Sequence, residues 1–318
     1  MRATAVAVVA ALVAGAVQLL SAPSRQHLEP MDRTVRVWHW NVAGNALHRG
    51  SASDGLVEAV ADSVIARGAD VVSLNEVCES QYTAIRRRLA ARGWPQDPDN
   101  FGRFDAALAP SSRLCGGSGA YGIALFAEHG MGAARRYPLP GDGVAEPRTM
   151  LCAPRADLPR MKYCTVHIAT SDTGNGGTEV ARRQLDKVRS LLDGFAEAGE
   201  TYVVAGDFNA QPHYVRLDPF YAASADTPNN SGNHGANREL DDADPSHCPG
   251  YGEGTAVGSG GPSTPCAGTA KVDLILVRES QLAGAYSADA LSAPASCAGM
   301  AYCSDHRVLI GEVRLRVH

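Results

Sequence analysis

The sequence predicts an α/β fold, and two observations lead to that prediction. Short apolar stretches rich in β-branched residues, typical of buried strands, alternate along the chain with amphipathic helices and hairpins. Acidic, amide or imidazole side chains follow several of these stretches, at the point where the strand is expected to end. The chain has 318 residues, 45% of them hydrophobic, which is ample for a large core; length alone allows one or two domains.

The first 24 residues differ in character from the rest. Met1-Arg2 gives a basic start, and a long apolar run of small residues follows over 3–20, as in a secretory signal. We expect cleavage near residues 22–24 and export, with an uncleaved membrane anchor as the alternative because the run is long. Residues 25–33 are expected to form a linker, and 34–318 the folded domain.

Strands and helices alternate in the first half of the domain. In order, the patterns predict a strand over 34–40, a helix over 54–67, a strand over 69–75, a helix from residue 80 and a strand over 121–127. Asn41 and Glu76 stand at the ends of the first two strands. Asp54 is placed to cap the first helix and Gly68 to end it. Residues 93–118 are rich in Gly, Pro, Asp and Ser, so they are expected to be mostly loop.

The second half begins with a predicted hairpin. Its elements are strands over 150–155 and 161–169, then a helix over 178–198, and then strands over 201–205, 271–277 and 307–317. His167 lies in the second hairpin strand. The long polar stretch over 224–270 is expected to be a functional or disordered loop, and its acidic run over 239–244 is interpreted as solvated.

The strand over 201–205 runs into Gly206-Asp207-Phe208-Asn209. Gly206 lets the backbone turn without a side chain in the way. Asp207 and Asn209 are two residues apart and therefore leave the sheet edge on the same side. Delivering two polar groups to the end of an apolar strand is costly unless something polar lies there, so these residues are candidates for a site.

The chain contains eight cysteines, an even number that fits disulfide bonds in an exported protein. A metal site is disfavoured because no Cys-x-x-Cys spacing occurs. Eight cysteines allow about 105 pairings, so connectivity rests on proximity alone. Proximity suggests Cys152 with Cys164, Cys248 with Cys266 and Cys297 with Cys303, which leaves Cys78 to pair with Cys115.

Six short motifs stand at predicted strand ends between residues 34 and 317: Trp40-Asn41, Asn75-Glu76-Val77, Thr165-Val166-His167-Ile168, Gly206-Asp207-Phe208-Asn209, Val272-Asp273-Leu274-Ile275 and Ser304-Asp305-His306-Arg307. In this order the set resembles the endonuclease/exonuclease/phosphatase superfamily, the deoxyribonuclease I-like proteins. Asn75 departs from the pattern, since many relatives have Gln there. The resemblance implies a four-layer sandwich of two stacked mixed β-sheets flanked by helices.

The resemblance also implies a hydrolase of phosphoric esters that depends on a divalent cation. Glu76, with Asn41 and Asp305, would hold Mg²⁺, with Mn²⁺ or Ca²⁺ as alternatives. Carboxylate and amide oxygens suit such hard cations. Arg148 would face the phosphate, and Tyr121 is the nearest aromatic candidate to support the first histidine.

Five further residues receive catalytic roles from the resemblance. Asp207 and Asn209 would orient the attacking water. His306, oriented by Asp273, would be a general base or a phosphate contact. His167 would donate a proton or a hydrogen bond to the phosphate from the other side. The sequence leaves open which histidine is the acid and which is the base.

The substrate is expected to be a nucleic-acid phosphodiester. The net charge of −5 gives no global basic field, but basic clusters at 86–88, 135–136 and 182–183 could follow a phosphate backbone. The sequence contains no apolar hairpin of the kind that inserts into lipid. Phospholipids such as sphingomyelin and inositol phosphates are the alternatives, and a non-catalytic, toxin-like binding subunit is a further one. We expect a monomer without a stable protein partner.

Overall fold

The computed structural model describes residues 29–117, 119–141, 146–170, 177–258, 264–266, 268–292 and 297–317. The predicted signal over 1–24 and the first part of the predicted linker lie outside the described residues. Within the described ranges, no helix has both the length and the apolar character needed to cross a bilayer.

Twelve strands and three α-helices are described. The strands are β1 (Met31–Asn41), β2 (Val71–Cys78), β3 (Gly102–Leu108), β4 (Tyr121–Ala127), β5 (Arg135–Pro138), β6 (Thr149–Pro154), β7 (Met161–His167), β8 (Thr201–Asp207), β9 (Asn237–Glu239), β10 (Asp273–Arg278), β11 (Leu282–Leu291) and β12 (Val308–Val317). The helices are α1 (Leu56–Ala66), α2 (Glu79–Ala91) and α3 (Gly177–Glu197).

The strands form two six-stranded mixed sheets. The order is β11-β12-β1-β2-β4-β3 in the first sheet and β5-β6-β7-β8-β10-β9 in the second. One parallel pair lies in the middle of each sheet, β1 with β2 and β7 with β8, and the remaining pairs are antiparallel. A helix connects each parallel pair, α1 in the first sheet and α3 in the second, because parallel neighbours need a crossover.

The core is divided among three apolar layers. Side chains such as Val37 of the first sheet and Val203 of the second pack between the sheets. On the outer face of the first sheet, Leu56 of α1 packs in one cluster with Trp38. On the outer face of the second, Leu185 of α3 packs in one cluster with Tyr202. The predicted four-layer sandwich is therefore confirmed.

Several predicted boundaries and loops are corrected by the structure. β1 begins at Met31, inside the expected linker. β3 lies within residues 93–118, where mostly loop was expected, and β5, β9 and β11 were not predicted. β3 and β5 lie at sheet edges and carry charged residues, so they lack the apolar pattern on which the prediction rests.

The solvated loop expected for residues 239–244 is also wrong. Glu239, Asp241 and Asp242 are buried, and so is Lys271. The Lys271 ammonium lies 2.9 Å from a carboxylate oxygen of Asp241 and 3.5 Å from one of Glu239. Arg238 pairs with Asp242 at 2.8 Å. The charges of this acidic run are thus compensated inside the protein rather than by water.

The disulfide pairing agrees with the prediction. The bonds are Cys78–Cys115, Cys152–Cys164, Cys248–Cys266 and Cys297–Cys303, and no free cysteine remains. The last of these bonds closes the loop just before Ser304 and therefore helps to fix the entry into β12.

Candidate active site

The candidate site lies where strand ends of both sheets meet. Asn41 ends β1 and His167 ends β7. Asp207 ends β8, where it is paired with His167 on one side and with Asp273, the first residue of β10, on the other. Gly206 permits this close pairing, since a Cβ there would lie 2.0 Å from the carbonyl oxygen of Val166.

Asp207 lies between the two predicted histidines. Its Oδ2 is 3.6 Å from His167 Nε2 and 3.8 Å from His306 Nε2. Its Oδ1 accepts a 2.8 Å hydrogen bond from the Asn209 backbone N–H, and Asn41 donates to Oδ2. Burial raises the pKa of Asp207 to about 7. This carboxyl can therefore take up and release a proton near neutral pH.

His306 is held by the Asp273 carboxylate. His306 Nδ1 lies 2.8 Å from one Asp273 oxygen, and His39 Nε2 lies 3.0 Å from the other. Burial lowers the pKa of His306, but the charge and hydrogen bond of Asp273 outweigh it and raise that pKa to about 10. Burial likewise opposes the charged form of Asp273, yet the two histidines lower its pKa. His306 is thus a cation at neutral pH, which disfavours the general-base role.

His167 has the opposite character. Burial and then the charge of Arg148 lower the pKa of His167 well below its ordinary value, so the ring is neutral. The Arg148 guanidinium donates to His167 Nδ1, which leaves the ring proton on Nε2, facing Asp207. Glu146 lies 3.2 Å from Arg148, and burial raises the pKa of Glu146 to about 7. His167 is therefore arranged as a neutral hydrogen-bond donor.

Glu76 lies on a bulge of β2. The register against β4 shifts between Leu74 and Val77, and Glu76 itself has a φ of 55°. A non-glycine residue in the left-handed region carries backbone strain, and such residues cluster at functional sites. The Tyr121 hydroxyl is hydrogen-bonded to the Glu76 carboxylate, and burial raises the pKa of Tyr121.

The predicted cation-binding residues are only partly brought together. Asn41 Nδ2 donates to Glu76 Oε1 at 3.2 Å and to Asp207 Oδ2 at 3.1 Å, while Asn41 Oδ1 accepts the Ala43 N–H. Asn41 is therefore a bridge between two carboxylates in this structure, and its oxygen is not turned to them. Asp305 is exposed at the rim and makes no hydrogen bond or ion pair to Asn41 or Glu76.

The donor set nevertheless fits a hard divalent cation. The carboxylates of Glu76 and Asp207 bond to one and the same amide nitrogen, so they lie close together and repel each other unless a positive charge compensates them. Asp207, Asp273 and His306 also place donor atoms within 4.8 Å of one another. That trio is less suited to a metal, because both Asp273 oxygens are already bound by histidines.

Hydrogen bonds join the two sheets beneath the site. Asn75 of β2 donates to the Thr165 hydroxyl of β7, and Asn75 Oδ1 accepts the Asp207 backbone N–H at 2.7 Å. His39 of β1 reaches Asp273 across the sandwich. His39 is not among the candidate residues that the sequence motifs identify. Its position two residues before Asn41, on the same side of β1, is the signal that would have found it.

One arginine of each basic cluster predicted to follow a phosphate backbone is bonded within the protein. Arg136 pairs with Asp105 at the edge of the sheets. Arg182 lies between Glu179 and Asp186 on α3. Arg86 donates to backbone carbonyls. Carboxylates thus compensate the charges of Arg136 and Arg182, whereas Arg87, Arg135 and Arg183 of the same clusters are exposed.

Comparison with known proteins points to one family. A family model described as the endonuclease/exonuclease/phosphatase family matches residues 38–306. The comparison with curated protein sequences finds no significant match.

Solved structures share the fold. An endonuclease/exonuclease/phosphatase from Beutenbergia cavernae is 20% identical with a TM-score of 0.56, covering 89% of this chain and 72% of that one. The human Nocturnin catalytic domain with bound sulfate is 20% identical with a TM-score of 0.60, at 90% and 97% coverage. D. rerio TDP2 complexed with a single-strand DNA product is 14% identical with a TM-score of 0.57, at 88% and 98% coverage. At these identities the likeness concerns the fold. The family match, which extends over most of the chain, shows that the chain belongs to the endonuclease/exonuclease/phosphatase family, whose members are phosphoester hydrolases.

Proposed function

We propose that this protein is a secreted, divalent-cation-dependent phosphodiesterase that cleaves nucleic acid by direct attack of water. The observation that carries the proposal is the position of Asp207 between a neutral His167 and a cationic His306. A base flanked by two donors is the arrangement that hydrolysis of an anionic ester needs. The four disulfide bonds support secretion, since such bonds persist in oxidising compartments.

Each side chain has a role in the proposed reaction. Asp207 and Asn209 orient a water molecule, and Asp207 takes its proton as the oxygen attacks phosphorus. The His306 imidazolium, His167 Nε2–H and the Arg148 guanidinium bind the phosphate oxygens, where charge increases in the transition state. The bond to the leaving oxygen then breaks, and that oxygen gains a proton from solvent.

A divalent cation held by Glu76 would offset the phosphate charge and stabilise the leaving oxygen. Asn41 positions the Glu76 carboxylate through its 3.2 Å hydrogen bond. Asp305, which is exposed beside His306, is proposed as a further ligand because carboxylates suit Mg²⁺, Mn²⁺ and Ca²⁺ alike.

Nucleic acid is the proposed substrate, and the supporting observation comes from a protein of the same fold. D. rerio TDP2 has been solved in complex with a single-strand DNA product.

A second candidate, a phospholipid phosphodiesterase, is favoured by one observation. Leu47 and Tyr302, 41% and 54% exposed, line an apolar cavity of about 250 Å³ beside Asp305. Such a surface could contact an acyl chain or a nucleobase.

The test compares cleavage of plasmid or single-stranded DNA with cleavage of sphingomyelin at matched enzyme concentration over a salt series. We expect DNA cleavage that requires a divalent cation and falls steeply with salt, because counterion release dominates backbone binding. The Glu76→Gln variant is the control for contaminating nuclease. Rapid sphingomyelin hydrolysis without DNA nicking at low salt would reject the nuclease and establish the lipid enzyme.

A further inference from the structure

A loop beside the candidate site carries an arginine that has no ion-pair partner. The loop follows Asn209 and contains His213, Tyr214, Val215 and Arg216. In the described part of the chain, no carboxylate lies within ion-pair distance of the half-buried Arg216 guanidinium. Arg182, which borders the same cavity, pairs with two carboxylates. An uncompensated, partly buried charge is costly, so Arg216 requires an explanation.

The contacts of Arg216 connect it directly to the reaction centre. Its Nη2 donates to the Asn209 carbonyl oxygen at 3.0 Å, and the Asn209 N–H donates to the Asp207 carboxylate at 2.8 Å. A guanidinium offers five N–H donors. Within the described residues this is the one hydrogen bond that Arg216 makes, and its Nε is buried without a partner. The other guanidinium N–H groups therefore have no acceptor among the described residues, and the Asn209 peptide links Arg216 to Asp207.

Arg216 is held over an aromatic surface. Its guanidinium carbon lies 4.6 Å from the centre of the Tyr214 ring, and the His213 ring lies 4.9 Å from that centre. The Tyr214 hydroxyl accepts a hydrogen bond from Gln211, which in turn accepts one from Tyr251. This chain of bonds fixes the orientation of Tyr214 before any ligand arrives, which lowers the entropy lost on binding.

Open space adjoins this surface. A cavity of about 560 Å³ lies between this loop and α3, from which Thr178, Arg182 and Asp186 line it; Asp186 is paired with Arg182. Val215 is 80% exposed, the largest exposure among the exposed large hydrophobic side chains of the described residues. Aromatic rings beside a guanidinium form the kind of surface on which nucleobases stack while the cation binds the backbone.

We propose that Arg216 and the rings of Tyr214 and His213 form a subsite for the nucleotide adjacent to the scissile phosphate. Arg216 binds the neighbouring phosphate, and the rings stack against its base. The inference rests on the proposed nuclease function and sharpens it, because a phospholipid such as sphingomyelin has no second phosphate or base for this subsite. It also gives the substrate form, a flexible strand whose bases can unstack.

The test is steady-state kinetics of Arg216→Ala on two substrates. The first is a short single-stranded oligodeoxynucleotide; the second is bis(4-nitrophenyl) phosphate, which contains one phosphate and no base. We expect the oligonucleotide KM to rise about 10- to 100-fold, as for loss of a charge-assisted hydrogen bond. The factor by which KM rises for bis(4-nitrophenyl) phosphate should be at least about tenfold smaller. The slope of the logarithm of the oligonucleotide binding constant against the logarithm of salt concentration should become shallower, by the amount that corresponds to about one phosphate contact.

Two variants serve as controls. Arg67→Ala removes an exposed arginine just after α1, outside the three basic clusters, and should leave the KM of both substrates unchanged. Arg216→Lys keeps the charge and should recover part of the oligonucleotide KM. Equal losses on both substrates would mean that Arg216 only holds the Asn209 carbonyl, and an unchanged KM would show that no phosphate binds there; either result overturns the subsite.

The outcome also separates this inference from the proposed function. If the wild-type protein hydrolyses the small diester but neither binds nor cleaves the oligonucleotide, the nuclease function fails, and the subsite with it. If the oligonucleotide is cleaved and Arg216→Ala behaves as the wild type does, the subsite alone is wrong.

Discussion

Asp273 and His306 are joined by a 2.8 Å hydrogen bond between a fully buried carboxylate and an imidazole that reaches toward Asp207. Because Asp273 sets both the charge and the orientation of this ring, the two residues should act as a unit. We expect Asp273→Asn and His306→Ala each to lower kcat/KM by about 100-fold or more, and the double variant to be little worse than the worse single one.

The control for this cycle is His129→Ala, since His129 is hydrogen-bonded to Gln96 outside the site. It should retain wild-type kcat/KM. If the double variant loses kcat/KM by the product of the two single factors, the two residues act independently, because independent residues contribute additively in free energy. That result would contradict the pairing.

The two shifted groups predict a bell-shaped pH profile. Asp207, whose pKa burial raises to about 7, must lose its proton to accept one from water, so activity should rise with pH through that value. His306, with a pKa raised to about 10, must keep its proton, so activity should fall as pH passes that value. The measurement is kcat/KM against pH with bis(4-nitrophenyl) phosphate. In Asp273→Asn the activity should fall at a lower pH, because His306 has lost the carboxylate that raises its pKa. An unchanged alkaline limb would contradict the assignment of this limb to His306.

Cation binding should depend on Glu76. We expect Glu76→Gln to lose about 100-fold or more of its activity while remaining folded, since the hard cation loses a charged oxygen. Mg²⁺ should raise the Tm of the wild type, because a ligand that binds the native state stabilises it, and should no longer raise that of the variant. Asp305→Asn, measured in parallel, shows whether this exposed carboxylate also binds the ion. Full turnover by Glu76→Gln with unchanged Mg²⁺ dependence would refute the assignment.

Lys271 should be essential for stability. Its ammonium is fully buried between Asp241 and Glu239, so Lys271→Met leaves two buried carboxyl groups without their cation. Removing one partner of a buried pair costs about 3–5 kcal/mol. Urea unfolding should show this loss of free energy of unfolding, whereas Lys187→Met on the exposed side of α3 should change it little. A second change, Asp241→Asn, should restore part of the lost stability; an unaltered midpoint in Lys271→Met would contradict this account.

The sequence predicted the central strands well and the edges poorly. The strand before Asp207 is apolar on both faces because it is covered by α3 on one side and the first sheet on the other, so its pattern is unambiguous. β5 has only four residues and exposes two arginines, and β9 has three. Such short edge strands are stabilised by pairing with a neighbour, which a local pattern does not contain.

The residues of the candidate site likewise differ in how well the sequence predicts them. Asp207, Asp273, His167 and His306 could be found because each stands in a recognisable motif at a strand end. The contribution of His39 depends on the docking of one sheet against the other, and that of Arg216 on the path of a loop. The burial of the acidic run was missed for a related reason, since Lys271 lies 30 residues away from Asp241 in sequence.

The left-handed backbone of Glu76 implies a conflict between thermal stability and catalytic activity in this protein. At a φ of 55°, glycine relieves a strain of about 1 kcal/mol or more. Directed evolution that selected only for heat resistance would therefore enrich glycine at this position and yield a longer-lived, inert protein. Any thermostabilisation campaign on this scaffold needs a catalytic screen in every round.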